Sequence, residues 1–356
     1  MKQTSKQLFI YSLSAVALLS ASAGSASQDV SVPTFEGGLT ADIGTFYAVP
    51  SANDTTFLSI TTSPDNGDTD ITTFQNLSGE YDWGFEAALG YLIEDTANGI
   101  ELSYRGINTD ASTHRDVTDD TTNISNPIET INESLKFELN SLDLMLSQYI
   151  NIGQFMQLRL SAGASYVRLD QTQDLLGKGP SSTDTRQMAD PAIEELIDFT
   201  EKSNFKGFGP RLGMDARYGF GQGFGIVAGA SLAYLLGDLE LTSDLVTSGA
   251  LSAGLKADTT SQQFNEDFDN QAVTNLRGNI GLDYVYFFEN EAGSTLGLEL
   301  GYLVDYYADA AYGFNQVQVR NLSSKNTANI GGTQSASIGT TSITFSGPYL
   351  NLKGVF

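Results

Sequence analysis

Phe208-Gly209-Pro210-Arg211-Leu212-Gly213-Met214-Asp215-Ala216-Arg217-Tyr218 holds two sequences in one. Its even positions read Phe, Pro, Leu, Met, Ala, Tyr, while the odd positions from Gly207 to Arg217 read Gly, Gly, Arg, Gly, Asp, Arg. Side chains alternate faces along a β-strand, so the segment has one oily face and one charged face. Turned over in a bilayer, it would present Arg211, Asp215 and Arg217 to lipid, at roughly 2 to 4 kcal/mol for each Arg near the midplane. The parity is therefore strongly fixed.

The same alternation recurs outward from this segment. Met156, Leu158, Leu160, Ala162, Ala164 and Tyr166 oppose Gln157, Arg159, Ser161, Gly163 and Ser165. Leu296, Leu298, Leu300, Tyr302, Val304 and Tyr306 oppose Gly297, Glu299, Gly301, Leu303 and Asp305. Read this way, the chain predicts ten strands, near 34–47, 81–93, 99–107, 135–150, 155–169, 207–220, 224–240, 274–288, 295–311 and 343–356. The fourth slips phase, with Leu135, Phe137 and Leu139 on one parity and Leu142, Leu144 and Leu146 on the other. A bulge near Asn140 and Ser141 would reconcile the two halves.

The connections alternate in length. Short Gly-, Asn- and Asp-rich turns lie at 94–98, 151–154, 221–223 and 289–294. Long connections lie near 48–80, 108–134, 170–206, 241–273 and 312–342. Short turns on one side and long loops on the other are the layout of an up-and-down transmembrane antiparallel β-barrel with periplasmic turns and extracellular loops. Closure follows because an open edge would leave unpaired backbone groups in hydrocarbon. Candidate aromatic girdles mark the rims, with Phe35, Tyr91, Phe220, Phe224, Phe288 and Phe356 at one and Tyr47, Trp83, Tyr166, Phe208, Tyr234 and Tyr306 at the other.

Residues 1–23 read as a signal peptide: basic Lys2 and Lys6, an apolar stretch from Leu8 to Leu19, and a small-residue site at Ala21-Ser22-Ala23. A second cut is available after Ala26. Residues 24–356 then form a single outer-membrane barrel domain. The 356 residues carry 18 Lys+Arg against 43 Asp+Glu, a formal charge of -25, which argues against a nucleic-acid partner. With no Cys and one His, thiol chemistry and multi-histidine metal sites are excluded, and no cofactor is expected.

The ending Ser346-Gly347-Pro348-Tyr349-Leu350-Asn351-Leu352-Lys353-Gly354-Val355-Phe356 resembles the terminal signature of bacterial outer-membrane barrels. That resemblance implies insertion by the barrel-assembly machinery through the strand ending in Phe356. The segments Trp83 to Tyr91 and Phe208 to Ala216, with the glycine-rich hairpin from Phe224 to Leu236, resemble the Legionella-type major outer membrane protein family, described as pore-forming barrels. Some members of that family are associated with cysteine cross-links. This chain has no Cys, so an oligomer here would be non-covalent.

By parity the lumen receives Asp42, Asp82, Glu86, Glu101, Arg105, Lys136, Glu138, Asp143, Arg159, Arg211, Asp215, Arg217, Arg277, Asp283, Glu299, Asp305 and Lys353. Two readings fit: a polar channel whose opposed charges set ion selectivity, or a closed interior in which those charges pair and fill the space. Ten strands sit nearer the narrow end of barrel sizes. Glycine at inward positions such as Gly90, Gly207, Gly209, Gly213 and Gly301 removes volume and favours a narrow conduit for small hydrophilic solutes. The acid excess lies mainly in the long connections, which predicts weak cation preference that high salt erases. The alternative is a non-conducting surface barrel whose acidic loops make contacts between cells.

Three local readings complete the sequence. The acid clusters Asp65 to Asp70 and Asn265 to Asn270 could bind calcium or bridge lipopolysaccharide through divalent cations, but neither has the spacing of a calcium loop. Asp190-Pro191-Ala192-Ile193-Glu194-Glu195 reads as the start of a short loop helix with Ile193, Leu196 and Ile197 on one face. His114, beside Arg115 and Asp116, is the sole candidate for general-base chemistry. No G-x-S-x-G or H-E-x-x-H motif accompanies it, and an enzyme is not expected.

Overall fold

The computed structural model describes residues 37–52, 58–62, 70–73, 79–94, 96–116, 130–178, 196–249, 258–288, 294–314, 317–324, 327–334 and 338–356. The leader, residues 34–36 and Phe35 of the expected first strand lie outside them. Ten strands form a closed ring: β1 (Gly38–Ala52), β4 (Asp82–Leu92), β5 (Asn98–Asp116), β6 (Thr130–Ile152), β7 (Met156–Lys178), β8 (Leu196–Gly221), β9 (Phe224–Gly249), β10 (Asp258–Phe287), β11 (Thr295–Phe314) and β14 (Ile338–Val355). Each pairs antiparallel with its sequence neighbour in the ring, and β1 closes the barrel against β14. Phe356 and Leu39 exchange backbone bonds of 2.9 and 3.0 Å at that seam. The remaining strands, β2 (Leu58–Thr62), β3 (Asp70–Thr73), β12 (Val317–Ser324) and β13 (Thr327–Gln334), make a separate sheet in the order β13-β12-β2-β3, with β12 parallel to β2.

The strands are longer than the alternation alone predicts. β8 begins at Leu196, and β9 runs to Gly249, so much of what reads as loop at 108–134, 170–206 and 241–273 is barrel wall. The cause is an inversion of polarity along each strand. On β8, Phe208, Leu212 and Met214 point out while Arg211, Asp215 and Arg217 point in. Earlier on β8, Lys202 and Lys206 point out and Phe199 and Phe205 point in, without change of parity. The lower barrel is oily outside and polar inside, as a bilayer demands; the upper barrel is polar outside and apolar inside, as water demands. The girdle residues Phe208 and Phe220 are twelve positions apart, about 30 Å of height at a rise of ~3.3 Å per residue and a tilt of ~40°. The stretch from Leu196 to Phe208 is equally long, so the wall rises a similar distance above the apolar band.

This inversion corrects two expectations. No bulge interrupts β6 near Asn140, because its register with β5 and β7 is continuous from end to end. Leu135, Phe137 and Leu139 share the inward parity of Asp143 and simply lie higher. Lys136 and Glu138, assigned to the lumen on the assumption of a bulge, therefore face outward. The loop helix is likewise corrected at its described end: Leu196 and Ile197 open strand β8, residues 190–195 lie outside the described residues, and there is no helix among the described residues.

The upper interior is a dry core. Phe46, Phe137, Phe205, Phe345 and Tyr307 are each at most 1% exposed, joined by Leu135, Leu139, Leu169, Leu235, Leu239 and Ile343. Phe345 meets Phe137 and Tyr307 edge-on, with centroids 6.3 and 6.4 Å apart. β11 adds to the closure. Its register with β14 shifts between Tyr307 and Ala311, where Asp309 adopts a φ of 54°, and Ala310 and Ala311 turn inward. Beyond them the Tyr312 amide donates to Ser203 Oγ on β8 at 3.1 Å, a bond across the lumen.

Candidate functional site

Beneath the apolar core, the inward faces of the ten strands present charge. Two clusters form at different heights. The upper one ties strands on opposite sides of the ring. Arg105 on β5 donates to Glu86 at 2.6 Å and to Asp305 on β11 at 3.4 Å. Arg277 on β10 lies 3.2 Å from Asp305 and 3.3 Å from Asp143 on β6. Arg211 on β8 sits 3.3 Å from Asp143 and donates to Asn275 at 2.6 Å and Ser231 at 2.9 Å. Arg105 also stacks over the Phe46 ring at 5.4 Å, which joins this cluster to the core above it.

The lower cluster faces open space. Arg159 pairs with Glu101 at 2.8 Å and Asp215 at 2.9 Å, Arg217 with Asp283 at 2.5 Å, and Lys353 with Glu299 at 2.6 Å. A cavity of about 240 Å³ is lined by Asp42, Glu101, Arg159, Asp215, Arg217, Asp283, Glu299 and Lys353. A second, of about 180 Å³, reaches up to Glu86, Arg105, Arg211 and Arg277. The two share Asp42, Glu101, Arg159, Asp215, Glu299 and Lys353, so these side chains border both cavities between the lower rim and the upper cluster. Asp42 borders both and forms no ion pair among the described residues.

The structure thus turns Asp42, Glu86, Glu101, Arg105, Arg159, Arg211, Asp215, Arg217, Arg277, Asp283, Glu299 and Asp305 toward the interior and joins most of them in pairs. Sequence parity gives the face of each residue but not its partner, because partners across the ring depend on strand stagger. Neutral members of the network, Ser165, Asn275, Tyr349 and Asn351, carried only their odd parity as a signal. Asn275 donates to Asp305 at 2.6 Å, Tyr349 to Glu299 at 2.5 Å, and Asn351 to Glu86 at 2.6 Å.

The inward glycines have another use than widening a conduit. A Cβ on Gly84 would strike the Phe46 ring, and one on Gly207 would strike the Phe205 ring. At these positions glycine seats an aromatic ring of the core, as ring-covered glycines do in β-barrels. The volume that the sequence reading assigned to open lumen is filled at this height.

Several remaining sequence candidates lie away from the lumen. His114 faces outward near the top of β5, its Nδ1 2.6 Å from Asn132 Oδ1. Asn265 to Asn270 belongs to β10, which bulges between Phe268 and Gln271; Asp70 opens β3, and 65–69 lie outside the described residues. Tyr47, Trp83, Tyr166, Phe208 and Tyr234 stand exposed on the outer face at the upper edge of the apolar band, and Tyr91, Phe220, Phe224, Phe288 and Phe356 at the lower edge.

A closed ring of ten antiparallel strands, with an apolar outer band between aromatic girdles and charge inside, defines an outer-membrane β-barrel. The protein is accordingly placed in the outer membrane. The chain belongs to the family described as Legionella pneumophila major outer membrane protein precursor, whose model matches residues 31–356. A comparison with curated proteins finds no match. Among solved structures, the chain is similar to the outer membrane protease OmpT from Escherichia coli, at 13% identity over 94% of this chain and 100% of that one, with a TM-score of 0.39. It is also similar to a Pseudomonas aeruginosa FadL homologue (9% identity, 90% of each chain, TM-score 0.28) and to the P. putida toluene transporter TodX (9%, 89% of each chain, 0.28). Likeness at this level transfers no activity.

Proposed function

We propose that the protein is a narrow, gated pore for small hydrophilic solutes and ions, with weak cation preference. The observation that carries this reading is the pair of polar cavities stacked inside the membrane-spanning wall, both bordered by charged side chains. In that section the inward bases are Arg105, Arg159, Arg211, Arg217, Arg277 and Lys353. The inward acids are Asp42, Glu86, Glu101, Asp143, Asp215, Asp283, Glu299 and Asp305. The acids outnumber the bases, and an anionic wall concentrates cations. The gate is the apolar core with the cross-lumen arginines below it, so a conducting state requires their displacement.

Reversal potentials across planar bilayers test the reading. Openings should favour potassium over chloride in low salt and lose that preference at ~1 M, where charges more than about 3 Å apart are screened. Asp42→Asn, which removes a carboxylate without an ion partner, should reduce the preference; an unchanged reversal potential would contradict the assignment of Asp42 to the conduit. The dry core and the paired arginines favour a second reading, a barrel that does not conduct and acts through its surface. Absence of any current from folded protein would select it.

A further inference from the structure

The outer wall above the girdle carries a patch that the lumen does not explain. Among outward residues whose side chains are described, every base lies on three adjacent strands, β6, β7 and β8. Arg168 and Lys206 are direct register partners, two positions above the girdle pair Tyr166 and Phe208. Four positions higher, Lys136, Thr172 and Lys202 form a second row across the same strands. The two rows are separated by about 13 Å along the strands.

One acid within the patch, Asp170, is ion-paired there, and a second, Glu138, is hydrogen-bonded to a neutral amide. Asp170 accepts from Arg168 Nε at 2.8 Å and from Asn204, and Glu138 accepts from Asn140 at 3.2 Å. Asp238 and Glu240 border it on β9, opposite Lys206 and Asn204. Lys136, Lys202 and Lys206 form no ion pair among the described residues, and Arg168 keeps its two terminal nitrogens for another partner. In a chain with a formal charge of -25, unpaired bases gathered on one face at the height of the outer-leaflet headgroups call for an anionic ligand.

We propose that this face binds the phosphorylated disaccharide of outer-leaflet lipopolysaccharide. Arg168 and Lys206 would hold one phosphate at the headgroup level, and Lys136 and Lys202 would face the more distant phosphate or core sugars. The acyl chains would lie along the outward Tyr166, Phe208 and Leu212 below. Charge complementarity and continuity with the apolar band both favour this amphipathic anion over a free one, since basic residues beside a bilayer recognise anionic headgroups.

The test measures binding of lipid A to the folded barrel in neutral detergent, by native mass spectrometry and by titration. Arg168→Ala/Lys206→Ala should weaken binding at least about tenfold, the scale expected for two bases at an anionic surface. Arg168→Lys/Lys206→Arg should restore most of it, and Thr344→Ala, on the opposite wall, should leave it unchanged. Lipid A stripped of phosphate should bind the unaltered barrel no better than intact lipid A binds the double variant. Equal affinity of the double variant and the unaltered barrel for lipid A would overturn the proposal. Phosphatidylglycerol binding as tightly as lipid A, or inorganic phosphate competing at similar concentration, would overturn it too, by reducing the patch to a general anion site.

Discussion

Asp305 is 1% exposed, and Arg105, Arg277, Asn275 and Tyr307 all converge on its carboxylate. A network of this kind is weak evidence of net stabilisation, because desolvating the charges offsets their attraction, but removing one member leaves buried charge unpaired. Asp305→Ala should therefore lower the unfolding free energy by about 3 to 5 kcal/mol, read from the urea midpoint of the barrel in lipid vesicles. An unchanged midpoint would show that the arginines find water instead. The glycines give a finer test. Gly207→Ala pushes a methyl into the Phe205 ring and should cost about 1 to 3 kcal/mol, whereas Gly278→Ala meets nothing nearer than 3.8 Å and should be close to neutral. At this scale the sequence was legible in face within the apolar band, though not at Lys136 and Glu138 above it, and silent in partnership: alternation reveals that Arg211 points inward, but only the stagger of β6 against β8 brings Asp143 to it.

Along each element, one parity serves two solvents. β7 keeps odd residues inside throughout, yet Arg159 and Ser161 at its lower end give way to Val167, Leu169 and Leu175 above. A reading that equates the oily face with lipid follows the lower half correctly and then loses the strand, because Arg168, Asp170, Thr172 and Asp174 look like loop. The apparent phase slip of β6 was the visible trace of the inversion, and β8 and β9 repeat it at Lys206 and Asp238. The loops thereby shrink and the wall grows. Amides at 197–206 and 238–246 should exchange with deuterium as slowly as those of the membrane section, since they sit in continuous ladders over a dry core. Exchange within seconds would restore the long-loop picture.

For the molecule as a whole, the wall separates into an oily ring that meets lipid, a polar chimney above it, a charged space inside the ring and an apolar seal inside the chimney. Closure of the barrel, the aromatic girdles and the outer-membrane location were legible from alternation, connection lengths, the leader and the terminal strand together. The seal was not, because Phe46, Phe137, Phe205, Phe345 and Tyr307 come from five strands and acquire a common height only once the ring is closed. That seal decides whether the polar space below is a conduit or a dead end. The direct measurement is single-channel current from purified protein in planar bilayers, comparing the unaltered barrel with Phe137→Ala/Phe345→Ala, which removes the edge-on ring pair at its centre. A gated pore predicts rare, brief, cation-favouring steps for the unaltered protein and sustained current for the folded double variant. Silence from both would contradict the pore, and sustained current from both, of equal size, would contradict the seal.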